Sequence, residues 1–140
     1  AGIVEVYEKY GSLPFKELVQ PAIDLARNGF KVTKNQARSF NGTRERFAKA
    51  NNYKILFDAE WKEGDVVKLE ELAQTLERIR DNGRDGFYKG KTADLIVNYV
   101  KELGGIITHE DLVKYKAVWR KPIEFDYKGY KMLSKRKSLK

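Results

Sequence analysis

A chain with no cysteine and one histidine has few routes to a nucleophile: a hydroxyl, an amine or a carboxylate, with a base held beside it. The histidine, His109, follows Thr108 in what reads as the first turn of a helix, a place suited to solvent or capping rather than catalysis. No serine stands in a Gly-x-Ser-x-Gly elbow. Thr33, Thr43, Thr75, Thr92 and Thr108 are all internal, so none exposes a free amine unless the bond before it is cleaved. The adjacent carboxylates Glu70-Glu71 and Glu110-Asp111 would point about 100° apart on a helix, so neither pair converges on one substrate atom. Both lie near helix starts, where the helix dipole alone favours negative charge.

Scattered carboxylates and one histidine give no metal-ligand spacing. Gly83, Gly86 and Gly90 form no phosphate loop, because no strand precedes them and no Gly-Lys-Ser/Thr follows. Lys89-Gly90-Lys91-Thr92 comes nearest and lacks the upstream glycine. Asn41-Gly42-Thr43 has the spacing of a glycosylation sequon but falls in the middle of a helical pattern. Tyr7, Tyr10, Phe15, Phe30, Phe40 and Phe47 recur at helical intervals, which points to core packing rather than base stacking. The residues alone therefore define no catalytic, cofactor-binding or metal site, and no cofactor is expected.

The elements that carry these residues are mostly helical. Ile3, Val6, Tyr7 and Tyr10 share a face, with Gly11 as a stop. Leu18, Ala22, Leu25 and Ala26 define a second helix, widened by Phe15, Val19 and Ile23, and Pro21 is expected at its first position. Asn28-Gly29 should end it, with Phe30 and Val32 folding back as a C-terminal contact. Thr33 and Gln36 fit a capping box opening a helix with Ala37, Phe40, Phe47 and Ala48, fraying at Asn51-Asn52. The run Ile55-Leu56-Phe57 is too short to classify, and residues 58–65 read as a loop pinned by Trp61. Leu69, Leu72, Leu76 and Ile79 give the clearest helix, closed by Gly83. A turn holding Phe87, Tyr88 and Gly90 precedes a helix with Ala93, Ile96, Val97 and Val100, which ends at Gly104-Gly105. Thr108 caps a short helix beyond it. From Trp119 the period becomes two, and Ile123, Phe125 and Tyr127, then Lys128-Gly129, then Tyr130 and Met132 predict a β-hairpin.

Five or six helices followed by a hairpin make a mostly helical α+β chain, and its 140 residues suit one domain. A hydrophobic fraction of 41% permits a packed core, so wholesale disorder is not expected. No apolar run reaches the roughly 18 residues of a membrane span, and no leader pattern opens the chain. Ala1-Gly2-Ile3 already reads as helix, as in an excised or processed piece. Of the +8 net charge, five cations (Lys131, Lys135, Arg136, Lys137 and Lys140) sit in the last ten residues. The remaining 23 basic residues nearly balance 20 acidic ones. A terminal charge run of this kind is usually solvated, so no nucleic-acid partner is expected. A non-catalytic helical interaction module and a weak nucleic-acid binder acting through the tail are the alternative readings.

Several stretches together resemble the γ-glutamyltranspeptidase family. They are Tyr10-Gly11-Ser12-Leu13-Pro14-Phe15-Lys16-Glu17-Leu18 and Pro21-Ala22-Ile23-Asp24-Leu25-Ala26, running on to Gly29-Phe30-Lys31-Val32. Further along come Leu69 to Ile79 with Gly83, then Gly86-Phe87-Tyr88-Lys89-Gly90, and Gly104-Gly105-Ile106-Ile107-Thr108-His109-Glu110-Asp111-Leu112 with Tyr115. Trp119-Arg120-Lys121-Pro122 and Tyr127-Lys128-Gly129-Tyr130 close the set. Each stretch is weak alone; their order and intervals over residues 1–134 make the resemblance. After Ser134 the family continues with a proline-rich stretch, whereas Lys135 to Lys140 form a basic tail outside the likeness.

The resemblance implies the helical portion of the large subunit of an N-terminal-nucleophile hydrolase. Such an enzyme cleaves itself to expose a threonine whose own amine is the base, attacks a γ-glutamyl amide such as glutathione, and passes the acyl group to water or an amine. In the family the arginine that grips the substrate carboxylate lies upstream of this stretch, and the nucleophile and oxyanion hole lie downstream. No position here matches them. The implied partners are the remainder of the large subunit and the small subunit, with the γ-glutamyl substrate bound only by the complete enzyme. The implied location is periplasmic or extracellular. By itself the chain is expected to be inactive, to expose apolar surface and to self-associate.

Overall fold

The computed structural model describes residues 1–51 and 54–135. Seven α-helices and four short strands occur among them: α1 (Gly2–Tyr10), α2 (Phe15–Asn28), β1 (Phe30–Lys31), α3 (Lys34–Ala50), β2 (Val66–Val67), α4 (Glu70–Asn82), α5 (Asp85–Tyr88), α6 (Gly90–Glu102), α7 (His109–Lys114), β3 (Ile123–Tyr127) and β4 (Tyr130–Ser134). The expected mostly helical α+β architecture with a C-terminal hairpin is what the chain adopts.

The centre is the packing of α2 on α4. Ile23, Ala26 and Ala73 are buried at that contact, with Val19, Leu69 and Leu76 closing over them. The alanines let the two backbones approach while Ile23 fills the space between. At the rim Arg27 donates to Glu77 at 2.9 Å and to Glu70 at 3.3 Å, one guanidinium spanning two carboxylates on one face of α4. Glu77, and then Glu70, stabilise the cation and raise its pKa. These groups are solvated, so the pairing orients the helices more than it stabilises them.

Pro21 does not start the helix, as the sequence suggests; α2 runs continuously from Phe15 through it. Proline forfeits one hydrogen bond here, and Val19 and Ile23 on either side of it dock the same face onto α4. Tertiary burial outweighs the local penalty.

The second departure is the ladder of β1 with β2. The fold-back expected of Phe30 and Val32 is an antiparallel pairing, Phe30 with Val67 and Lys31 with Val66. Gly29 makes it possible: its φ is +89°, and a Cβ there would sit 2.6 Å from Val66 Cγ1 and 2.9 Å from the Val67 carbonyl oxygen. Val32, Ala37, Trp61 and Val67 form a second buried cluster, which shares Leu69 with the first. Trp61 does pin its loop. The Asn41 side chain donates to the Trp61 carbonyl and accepts from its N–H, each at 2.9 Å. Ile55-Leu56-Phe57 leads into a 3₁₀ turn at Leu56–Asp58. Asn51 ends α3, and Asn52 lies outside the described residues.

The capping box expected of Thr33 forms, and the expected Thr108 cap proves to be a box as well. Thr33 and Gln36 cap α3, and Thr108 and Asp111 cap α7. The Thr108 side chain, then its backbone N–H, hold the Asp111 carboxyl below the usual aspartate range. A depressed folded pKa means that the cap's contribution is complete above the ordinary aspartate value near 4 and is lost as pH falls through the folded one. Backbone chemical shifts of residues 108–114 should therefore lose helical character on acidification below about pH 4, and Asp111→Asn should flatten that dependence. A wild-type profile as flat as the variant's would refute the cap's role.

The hairpin is built as its period-two pattern predicts. Phe125 faces Met132 and Tyr127 faces Tyr130, and Lys128 (φ 51°) with Gly129 (φ 79°) makes a left-handed two-residue turn. Every residue of both strands is exposed. One face carries Ile123, Phe125, Tyr127, Tyr130 and Met132, so an apolar sheet face stands bare.

Candidate functional site

The five threonine hydroxyls are each committed to local structure. Thr33 and Thr108 cap their helices. Thr43 donates to the Ser39 carbonyl at 3.0 Å, and Thr75 to that of Glu71 at 2.9 Å. Thr92 is the one buried threonine, and α4, α5 and α6 converge on its hydroxyl. It donates to the Gly86 carbonyl at 2.9 Å and accepts from Arg78 Nε at 2.8 Å, while Arg78 Nη2 donates to Thr75 Oγ1. An arginine donor makes a hydroxyl no better a nucleophile; this trio ties three helices together.

His109 lies at the start of α7, as read from the sequence, and has a partner that the sequence does not reveal. Its Nε2 is 2.7 Å from Asp94 Oδ1 on α6, with both side chains about half exposed (54% and 56%). No hydroxyl bonds to this ring among the described residues. Glu70 is engaged by Arg27, and Glu110 by Lys114 at 2.6 Å. No cluster of three or more histidine or carboxylate side chains could hold a metal ion among the described residues. Lys89-Gly90-Lys91-Thr92 forms the start of α6 with Gly90 at φ 59°, following α5 rather than a strand. Asn41, in the sequon, has its amide already bonded to Trp61.

Three hollows stand out among the described residues. An apolar one of about 550 Å³ lies among α1, α2, α4 and α5, walled by Ile3, Phe15, Leu18, Leu76 and Phe87. A smaller one of about 300 Å³ adjoins the start of α6, beside Arg78, Lys89 and Lys91. The third, about 630 Å³, lies along the connector from α7 to β3. None brings a hydroxyl, a base and amide donors together.

The chain belongs to the γ-glutamyltranspeptidase family: the family model for gamma-glutamyltranspeptidase matches residues 1–138. It is 41% identical over 128 residues to a glutathione hydrolase proenzyme of Pseudomonas aeruginosa, covering 91% of this chain and 23% of that one. The corresponding proenzyme of Escherichia coli K12 is 42% identical over 142 residues, covering 96% and 24%. The γ-glutamyltranspeptidase structure from Helicobacter pylori superposes with a TM-score of 0.85 at 39% identity, over 96% of this chain and 40% of that one. A cephalosporin acylase from Bacillus halodurans superposes at 0.83 with 30% identity, over 93% and 26%. The chain thus spans about a quarter of the length of these curated relatives.

No helix among the described residues is long and apolar enough to cross a membrane.

Proposed function

We propose that this chain is the helical scaffold on the large-subunit side of a γ-glutamyltranspeptidase that cleaves γ-glutamyl amides such as glutathione and transfers the γ-glutamyl group to water or an amine. The observation that carries this reading is the family match along residues 1–138, in a chain whose five threonine hydroxyls are all engaged in capping, within-helix or helix-to-helix bonds. The chain supplies no nucleophile and no grip for the substrate's carboxylate in this reading. Its part is to hold the polypeptide that does. The partners are the remainder of the large subunit and the small subunit, and the bare hairpin face is where the former would pack. The complete enzyme would work in the periplasm or outside the cell.

A chromogenic γ-glutamyl anilide separates the chain's role from the enzyme's. The 140-residue chain should release no anilide above background, while the complete polypeptide with its self-processed threonine should turn it over. Release by the chain alone would overturn the scaffold reading. Inactivity of the complete polypeptide would overturn the assigned activity.

A further inference from the structure

We propose that the hollow of about 630 Å³ between the α7–β3 connector and the end of β4 binds a multiply charged oxyanion of the phosphate class. Lys116, Arg120 and Lys121 line it from the connector, and Lys135 lines it from just beyond β4. The ladder brings the two stretches together, since Ser134 pairs with Ile123 at the open end of the hairpin. Tyr115, Val118 and Pro122 make up the rest of the wall.

The charge in this hollow is unanswered. The nearby Lys114 and Lys131 each hold a glutamate, at 2.6 and 3.3 Å, but among the described residues none of the four lining cations has an acidic partner. Four cations around one opening repel one another. A monovalent counter-ion relieves little of it. An anion with several charged oxygens can take the planar fork of Arg120 and the ammonium groups of the lysines together. Bound there, it would join the connector to the end of β4.

The proposed binding is charge pairing alone and calls on no step of γ-glutamyl chemistry. The ligand could be a free polyphosphate, or a phosphate carried on an apolar body that rests against Tyr115 and Val118. Calorimetric titration of the full 140-residue chain at fixed ionic strength, with inorganic pyrophosphate and ADP in separate arms, tests the site and distinguishes these sources. The expected result is saturable one-to-one binding that weakens about tenfold or more in Arg120→Gln/Lys121→Gln, through loss of charge-assisted bonds. The same binding should persist in Lys34→Gln/Lys62→Gln, which removes equal charge elsewhere. Tighter binding of ADP would assign the apolar-bodied source, and equal binding the free ion. No saturation, or equal affinity in the Arg120 and Lys121 variant, would overturn the proposal. Should that variant lose helical circular dichroism, Lys116→Gln/Lys135→Gln reads the same site with the Arg-Lys-Pro step intact.

Discussion

Gly86→Ala should lower stability by about 3 kcal/mol, a fall of roughly 10 °C in Tm for a chain of this size, or prevent folding altogether. A Cβ at Gly86 would lie 2.0 Å from the Arg78 carbonyl oxygen and 2.3 Å from its carbon. Both atoms belong to the backbone of α4, so no side chain can swing aside, and the helices would have to part. Parting them also strains the bonds by which Arg78, Thr92 and the Gly86 carbonyl join α4, α5 and α6. The clash is steric rather than conformational, since Gly86 is not among the residues of positive φ. Gly42→Ala is the contrasting case. Nothing lies within 4 Å of a Cβ there, so the exchange should stabilise α3 by up to about 1 kcal/mol. Thermal melts of the two variants should move in opposite directions, and equal Tm values would dismiss the close approach of α5 to α4.

Arg84→Ala is expected to release α7 and the connector from the helical body at a cost of about 2 kcal/mol, the scale of bonds made to a charged donor. Arg84 Nη2 donates to the carbonyls of Leu112 (3.3 Å), Val113 (2.8 Å) and Tyr115, groups that a helix of six residues leaves without partners at its end. The guanidinium also lies 4.6 Å over the Tyr88 ring, and Tyr88 stacks on Tyr115 at 5.7 Å with an interplanar angle of 20°. One arginine thus caps a helix from outside and sandwiches a ring. Hydrogen exchange should quicken across residues 109–115 in the variant and stay slow in α2 and α4. Arg84→Lys should not rescue it, because an ammonium has neither the fork nor the flat face. Unchanged exchange over 109–115 would leave the arginine without this role.

Local chemistry was legible in the sequence and distant pairing was not. Thr33 with Gln36 could be read because a capping box is complete within four residues, and Thr108 could be read as a cap, though its bond to Asp111 was not. The hairpin could be read for the same reason, its turn residues standing between two alternating runs. Phe30 and Val67 could not be matched, since a two-residue ladder carries too little pattern to announce a partner so far along the chain. Pro21 was misplaced because propensity was weighed without α4, whose contact carries the helix through it. The turn around Phe87 conceals the helix α5, and its Gly86 reads as a loop glycine until Arg78 is seen beside it. Asp94 gives no sign of His109 for a similar reason, since α6 must end and the chain reverse before the two meet. The basic tail beyond Lys135 lies outside the described residues.

Leu69 has a consequence of its own. It packs into both buried clusters, and its N–H donates to the Ala26 carbonyl at 2.7 Å. Denaturant therefore has no seam along which to separate the Trp61 side from the α2–α4 side. In a Trp119→Phe background, where Trp61 is the one fluorophore of its kind, tryptophan fluorescence and helical ellipticity should share a single midpoint, and truncating Leu69 to alanine should split that midpoint into two.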